Sequence, residues 1–287
     1  MRRPTFRSRL AAVTATVVAL AAGAGTPAGS PATTAPASTT GPTSSSGPVA
    51  SINHPEGPQD VVISLKIDGG FVAPGAIFGR MPRVVLAGDG SVYFEGAQIE
   101  IYPQPLLPPV LVSTADETLV QRLLAAARRL DLFRTLSYGP PPAGIADAPN
   151  TIVTISAAGG TWVHDAYALS MAGTEVDPAR AALAEFVQLL EPLAMGMDPV
   201  TSFVAERYAI RATPADQAPA PDGITPNEVA WPSGTGIPLA GAADCATVLR
   251  SAIGDLFDRA TQITRFVDGG VKYVLTVRPM VPGDPGC

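Results

Sequence analysis

The chain has 287 residues, of which 46% are apolar and only 15% charged, enough apolar side chain for one large core or two small ones. The formal net charge is −6; setting aside the arginines at positions 2, 3, 7 and 9 leaves 15 basic against 25 acidic side chains, or −10. A surface of that sign repels phosphate, which excludes nucleic acid as a partner class and disfavours anionic membrane surfaces.

Arg2, Arg3, Arg7 and Arg9 precede an apolar run from Leu10 to Ala22, and Ala22-Gly23-Ala24 follows as a small-x-small site. This is the three-part pattern of a cleavable signal peptide, read over residues 1–25. The run is too short and too rich in Ala and Thr to span about 30 Å of hydrocarbon, so the mature form has no expected transmembrane span. The paired arginines leave the general and twin-arginine export routes both open. Cysteine is absent near the cleavage site, which excludes lipid attachment there.

Residues 26–58 are mostly Pro, Ala, Gly, Ser and Thr, and nothing between Arg9 and Glu56 carries a formal charge. Such a stretch cannot offset its ordering entropy by burial, and a disordered linker is predicted, serving as a plain spacer or an O-glycosylated stalk. His54 falls at its margin.

A first block is read over 59–195. Asp60–Ile67 is rich in β-branched residues and reads as a strand stopped by Asp68-Gly69-Gly70. Arg83–Ala87 and Ser91–Glu95 flank Gly88-Asp89-Gly90 and read as a hairpin. Gln98–Tyr102 reads as a further short strand, before a proline-rich crossing at 103–109. Thr114-Ala115-Asp116-Glu117 fits a capping box opening a helix, whose apolar face runs Leu119, Val120, Leu123, Leu124, Ala127 and Leu130. Thr151–Ser156 and Thr161–Leu169 form a second predicted hairpin. Asp177-Pro178 then supplies an N-cap and N1 proline for a helix that ends at Pro192.

A second block is read over 196–287. Phe203–Arg211 and Glu228–Trp231 are strand-like, the apolar spacing over 246–260 predicts a helix weakened by Gly254, and Ile263–Val277 is a hairpin. Each block thus reads as a helix followed by a hairpin, and Ile63–Val72 shares its Asp-Gly-Gly pattern with Ile263–Lys272. Two related sub-domains are one reading; recurrence because hairpins demand that turn is the other. The fold class is α+β, with antiparallel meanders each covered by a helix. The only cysteines, Cys245 and Cys287, are expected to pair in an exported chain, closing the second block.

Chemistry is sparse. His164 and Asp165 are neighbours on a strand and point to opposite faces, so they cannot form a dyad. No nucleophile elbow, paired-histidine helix, C-x-x-C or phosphate loop occurs, so no catalytic, cofactor or metal residue is assigned. Dispersed carboxylates of a glycosidase type are not excluded by motif, and Glu95, Glu100, Asp147, Asp165 and Asp177 are the candidates. Asp68, Asp89 and Asp268 each sit in a turn without the spacing of a calcium loop. Proline-aromatic loops at Tyr102–Pro109 and Tyr138–Gly144, and Trp231 beside Pro232, offer contact surface or rigid internal connections.

The strings DGGFVAPGAIF, VVLAGDGSVYFEG, IYPQPLLPP, ADAPNTIVTI and VPGDPGC resemble those of uncharacterised secreted proteins of GC-rich, actinobacterial-type Gram-positive bacteria, over about Val61 to Cys287. The resemblance implies export and a shared fold; it brings no assigned activity and no functional residue. The expectation is a non-catalytic exported module, secreted or cell-surface associated, that binds a protein or an envelope component. An envelope-polymer hydrolase using dispersed carboxylates and a secreted inhibitor presenting a proline loop are the alternatives.

Overall fold

The computed structural model describes residues 51–72, 75–139, 144–171, 173, 175–221 and 223–287. The expected signal peptide, residues 26–50 of the expected linker, and 140–143 of the second proline loop lie outside the described residues. In chain order the elements are β1 Val61–Gly69, α1 Ala76–Gly79, β2 Val84–Ala87, β3 Ser91–Glu95, β4 Val110–Thr114, α2 Glu117–Arg129, β5 Pro149–Ala157, β6 Gly160–Tyr167 and α3 Pro178–Ala194. There follow β7 Thr201–Ser202, β8 Arg207–Pro214, β9 Glu228–Ala230, β10 Ala246–Leu249, α4 Arg250–Ile253, β11 Arg265–Asp268 and β12 Val271–Pro279.

These make an α+β fold of two sheets. The first has seven strands in the order β6-β5-β1-β2-β3-β4-β7, all neighbours antiparallel; the second has five, β10-β8-β12-β11-β9, with one parallel pair, β9 and β11. The helices α2 and α3 cover one face of the first sheet. Val120, Leu124 and Ala127 of α2 and Leu183, Phe186 and Leu190 of α3 pack on Ile63, Leu65, Leu86 and Ile155. On the opposite face Val85, Ala87, Tyr93 and Val110 are covered by Met81, Phe203 and Val281, and Tyr93 meets Phe203 edge to face at 4.9 Å. All four residues of β2 are therefore buried, which matches its unbroken apolar sequence Val-Val-Leu-Ala. Gly88 must be glycine here, because a Cβ would lie 2.5 Å from the Pro55 carbonyl oxygen.

The second sheet has its own core of Tyr208, Ile210, Phe257, Phe266, Leu275 and Trp231. Cys245 and Cys287 are joined as a disulfide, with Cα atoms 5.4 Å apart. The C-terminal tail is further held by a bidentate pair in which Arg278 Nε and Nη2 donate to Asp284, both at 2.9 Å.

Several expectations are corrected. Residues 51–58 are not linker: Ile52 is buried in the first core, and Gln121 clasps its N–H and C=O at 2.8 and 2.9 Å. The His54 side chain is only 8% exposed, packed beside Glu117. The cap of α2 is Asp116, which accepts from the Leu119 N–H at 2.7 Å; Thr114 belongs to β4. Gln98–Tyr102 is not a strand. Helix α3 runs through Pro192 to Ala194, since only a terminal turn remains beyond it. The first sheet takes Thr201–Ser202 as an edge strand, and the strand expected from Phe203 begins at Arg207.

The largest correction concerns residues 246–260. The segment is β10 followed by a single turn of helix, α4, which Gly254 closes at φ 58°. Val248, Ile253 and Phe257 are buried as their spacing implied, but β10 gains a ladder with β8, and the helices that meet the second sheet are single turns, α1 against β12 and α4 beside β10. The shared Asp-Gly-Gly string also diverges. At 268–270 it turns the β11–β12 hairpin, whereas at 68–70 it ends β1 beside β5 and enters a loop.

Candidate functional site

The feature that stands out on the first sheet is a groove where β2 is missing. β1 continues to Gly69 and β3 to Glu95, but β2 begins only at Val84, and its register with β1 stops at Leu65↔Val84. The space beyond is an open groove of about 990 Å³. Its walls are Ile67, Phe94 and Leu111 from the strands, with Ala194 and Met195 at the end of α3. Phe71 and Met195 stand at this groove 90% and 81% exposed. Two large apolar side chains thus stand in water at one groove.

Four charged residues line the same groove: Arg80, Arg83, Glu95 and Asp147. The two guanidinium groups are committed. Arg80 Nη1 donates to the Gly69 carbonyl at 2.8 Å, and Arg83 donates to Glu191 at 2.6 and 3.1 Å. The carboxylates are not committed in that way. Glu95 accepts from Gln98 Nε2 at 2.8 Å, and Asp147 takes part in no ion pair among the described residues. Glu95 as a residue is open to solvent, yet the groove wall partly desolvates its carboxyl, which raises its pKa above the ordinary value, opposed by the Gln98 hydrogen bond. A second cleft of about 580 Å³ adjoins the first, sharing Arg80 and Glu95 and floored by Val274 and Thr276 of β12.

Of the five carboxylates singled out from sequence, Glu95 and Asp147 thus line one groove. Asp165 lies on the solvent face of β6, Asp177 caps α3 by accepting from the Arg180 N–H at 2.9 Å, and Glu100 is in an exposed loop. The turn acids are spent locally: Asp68 pairs with Lys66 at 2.7 Å, Asp89 accepts from the Ser91 N–H at 2.9 Å, and Asp268 accepts from the Leu239 N–H at 2.7 Å.

His164 is fully buried with both ring nitrogens occupied. A carbonyl can only accept, so Nε2–H donates to Leu132 O at 2.9 Å, and Nδ1 accepts the Tyr138 hydroxyl at 2.7 Å. Burial lowers the His164 pKa and raises that of Tyr138, so the pair is a neutral structural link. Trp231 is 7% exposed, and its indole N–H is spent on Ile237 O at 2.7 Å, which removes it from the contact surface. Leu106 of the first proline loop is buried in the second core, and its N–H bonds Ala260 O at 2.9 Å. That loop is a packed connection; within Tyr102–Pro109 only Tyr102 and Pro105 are exposed. Phe71, Met195 and Arg80 carried no sequence signal beyond the oddity of a large apolar residue after Gly-Gly.

The molecule is thus an α+β protein of two packed sheets with an apolar, charge-flanked groove at the end of one of them. No family model, curated protein or solved structure matches the chain.

Proposed function

We propose that the protein is an exported binding module that holds a partner in the groove beside Phe71 and Met195. The observation that carries this reading is the near-complete exposure of those two side chains at the groove, since their desolvation on contact is worth about 1.5–3 kcal/mol each. Export is supported by the arginine-led apolar run at the N-terminus and by the Cys245–Cys287 disulfide, a bond typical of oxidising compartments. No helix among the described residues is long and apolar enough to cross a membrane. The partner class is a protein or envelope component. The test is affinity capture from secreted and envelope fractions with the wild type and with Phe71→Ser/Met195→Ser. A partner retained by the first and lost by the second is the expected result; equal retention by both removes the groove from the function.

A second reading, hydrolysis of an envelope polymer, draws on the shared groove of Glu95 and Asp147. Glu95→Gln and Asp147→Asn each abolish turnover of a glycoside or peptide panel on that reading, while on the binding reading the wild type turns over none of the panel.

A further inference from the structure

Beyond the start of β2 the facing edges of β1 and β3 have no ladder partner among the described residues. On β1 the Leu65 carbonyl accepts from the Arg83 N–H at 2.7 Å and the Gly69 carbonyl accepts from Arg80 Nη1 at 2.8 Å. Both residues therefore turn their peptide groups toward the β2 side, and so must Ile67 between them, because alternate residues of a strand share a side. On β3 the Gly90 carbonyl accepts from the Ala115 N–H and the Gly96 N–H donates to Pro109 O, both at 2.8 Å. The even residues thus face β4, and Glu95 turns its N–H and C=O toward the gap. Among the described residues neither Ile67 nor Glu95 has a ladder partner there, since the β2 register ends at Leu65↔Val84 and Val85↔Tyr93. β5 and β4 hold the two walls in place from outside, two ladder spacings or about 10 Å apart.

Resting on the binding reading, we infer that the groove takes an extended segment of a partner polypeptide, which enters between β1 and β3 in line with β2 and bonds Ile67 and Glu95 main chain on its two edges. Strand addition of this kind draws affinity from main-chain bonds and specificity from alternate side chains. The alternation is set by the walls. Ile67 and Phe94 pack on the helix-covered face, so one side chain of the segment meets them and Met195. The next points to the other face, onto which Glu95 projects, as does Tyr93 two residues before it. Among the described residues Glu95 and Asp147 have no guanidinium partner; Arg83 is neutralised by Glu191, and Arg80, which bonds the neutral Gly69 carbonyl, offsets one of the two acids, so one negative charge is left over in the groove. The complementary segment alternates apolar and basic residues.

Amide exchange in the purified protein is the first measurement. Ile67 and Glu95 exchange at nearly unprotected rates, while Lys66 and Phe94, bonded to β5 and β4, are slower by at least about 100-fold. Protection of Ile67 and Glu95 in the free protein overturns the inference, because the gap is then already filled. A library of randomised heptapeptides is next panned on the wild type with Phe71→Ser/Met195→Ser as the counter-selection. Enriched peptides alternate apolar with Lys or Arg, slow exchange at Ile67 and Glu95 by at least about tenfold, and lose binding when alternate amides are N-methylated. Recovery of no groove-dependent peptide, or of peptides that leave both amides exchanging, overturns it. A glycan or lipid partner lost by the double serine variant, with both amides still exchanging, ends this inference and leaves the binding reading standing. A natural partner indifferent to the double variant ends both.

Discussion

Arg180 is the most buried charge among the described residues, 2% exposed against 7% for its partner Glu175. Every nitrogen of its guanidinium is bonded: Nε and Nη2 bond the Glu175 carboxylate at 2.7 and 2.9 Å, and Nη1 and Nη2 reach the Tyr167 and Ala168 carbonyls at 3.1 and 3.2 Å. That network fastens the start of α3 to the end of β6. Met171 and Val176 nearby are exposed, so the pair lies under thin cover and its loss belongs at the low end of the range for buried pairs. Arg180→Met is expected to cost about 3 kcal/mol at pH 7, because it strands a buried carboxylate. The hydrogen bond from Arg180 chiefly holds the Glu175 pKa below its ordinary 4.5. A depressed folded-state pKa contributes stability above the unfolded value and loses it as pH falls through the folded one. The gap between wild type and Arg180→Met in urea midpoint therefore narrows from pH 7 to below pH 4. A gap independent of pH would mean that the ion pair is not the source. Nothing in the sequence marks Glu175 as the partner, whereas the place of His164 on a strand, with Asp165 turned to the other face, was legible from side-chain alternation.

At the scale of elements, local chemistry was informative wherever the chain makes its own partner. The Asp-Gly hairpin of β2 and β3, the β5–β6 and β11–β12 hairpins and the Asp177-Pro178 helix start are all within a few residues of their expected positions. Elements that depend on distant partners were not legible. Residues 246–260 carry the burial of a helix, yet pairing of Val248 with Tyr208 and the anchor at Cys245 make the segment a strand and a turn. Two caps competed in the same way at α2, and Asp116 holds the position because Thr114 is already committed to pairing with Ser91. Asp116→Ala is then expected to cost about 1 kcal/mol. Thr114→Ala, at an exposed site, should stay within about 0.5 kcal/mol. Thermal denaturation of the two variants separates these assignments, and a larger loss at Thr114 would restore the capping box.

At the scale of the molecule, the groove was illegible for a physical reason. It arises where β2 is shorter than both neighbours, a relation between three strands that no single segment encodes, and Glu95 could be named from sequence only as one acid among five. The tail has the same character. Val281 packs with Met81, Val85 and Tyr93 of the first sheet, while Cys287 is bonded to Cys245 at the start of β10 in the second. Arg278 of β12 lies over the Phe78 ring of α1 at 5.4 Å and donates to its carbonyl at 2.9 Å. The last residues therefore brace both sheets, and their release should be felt in each. Replacing both cysteines by serine removes a cross-link over 42 residues, worth up to roughly 4 kcal/mol on the chain-entropy account. Beyond that general loss, amides of β2 and β3 are expected to lose protection along with those of β10, because freeing Cys287 loosens Val281. Hydrogen exchange on the double variant under native conditions makes the distinction. Protection lost in β10 alone, with β2 and β3 unchanged, would show that the disulfide staples only the second sheet and that Val281 holds its place unaided.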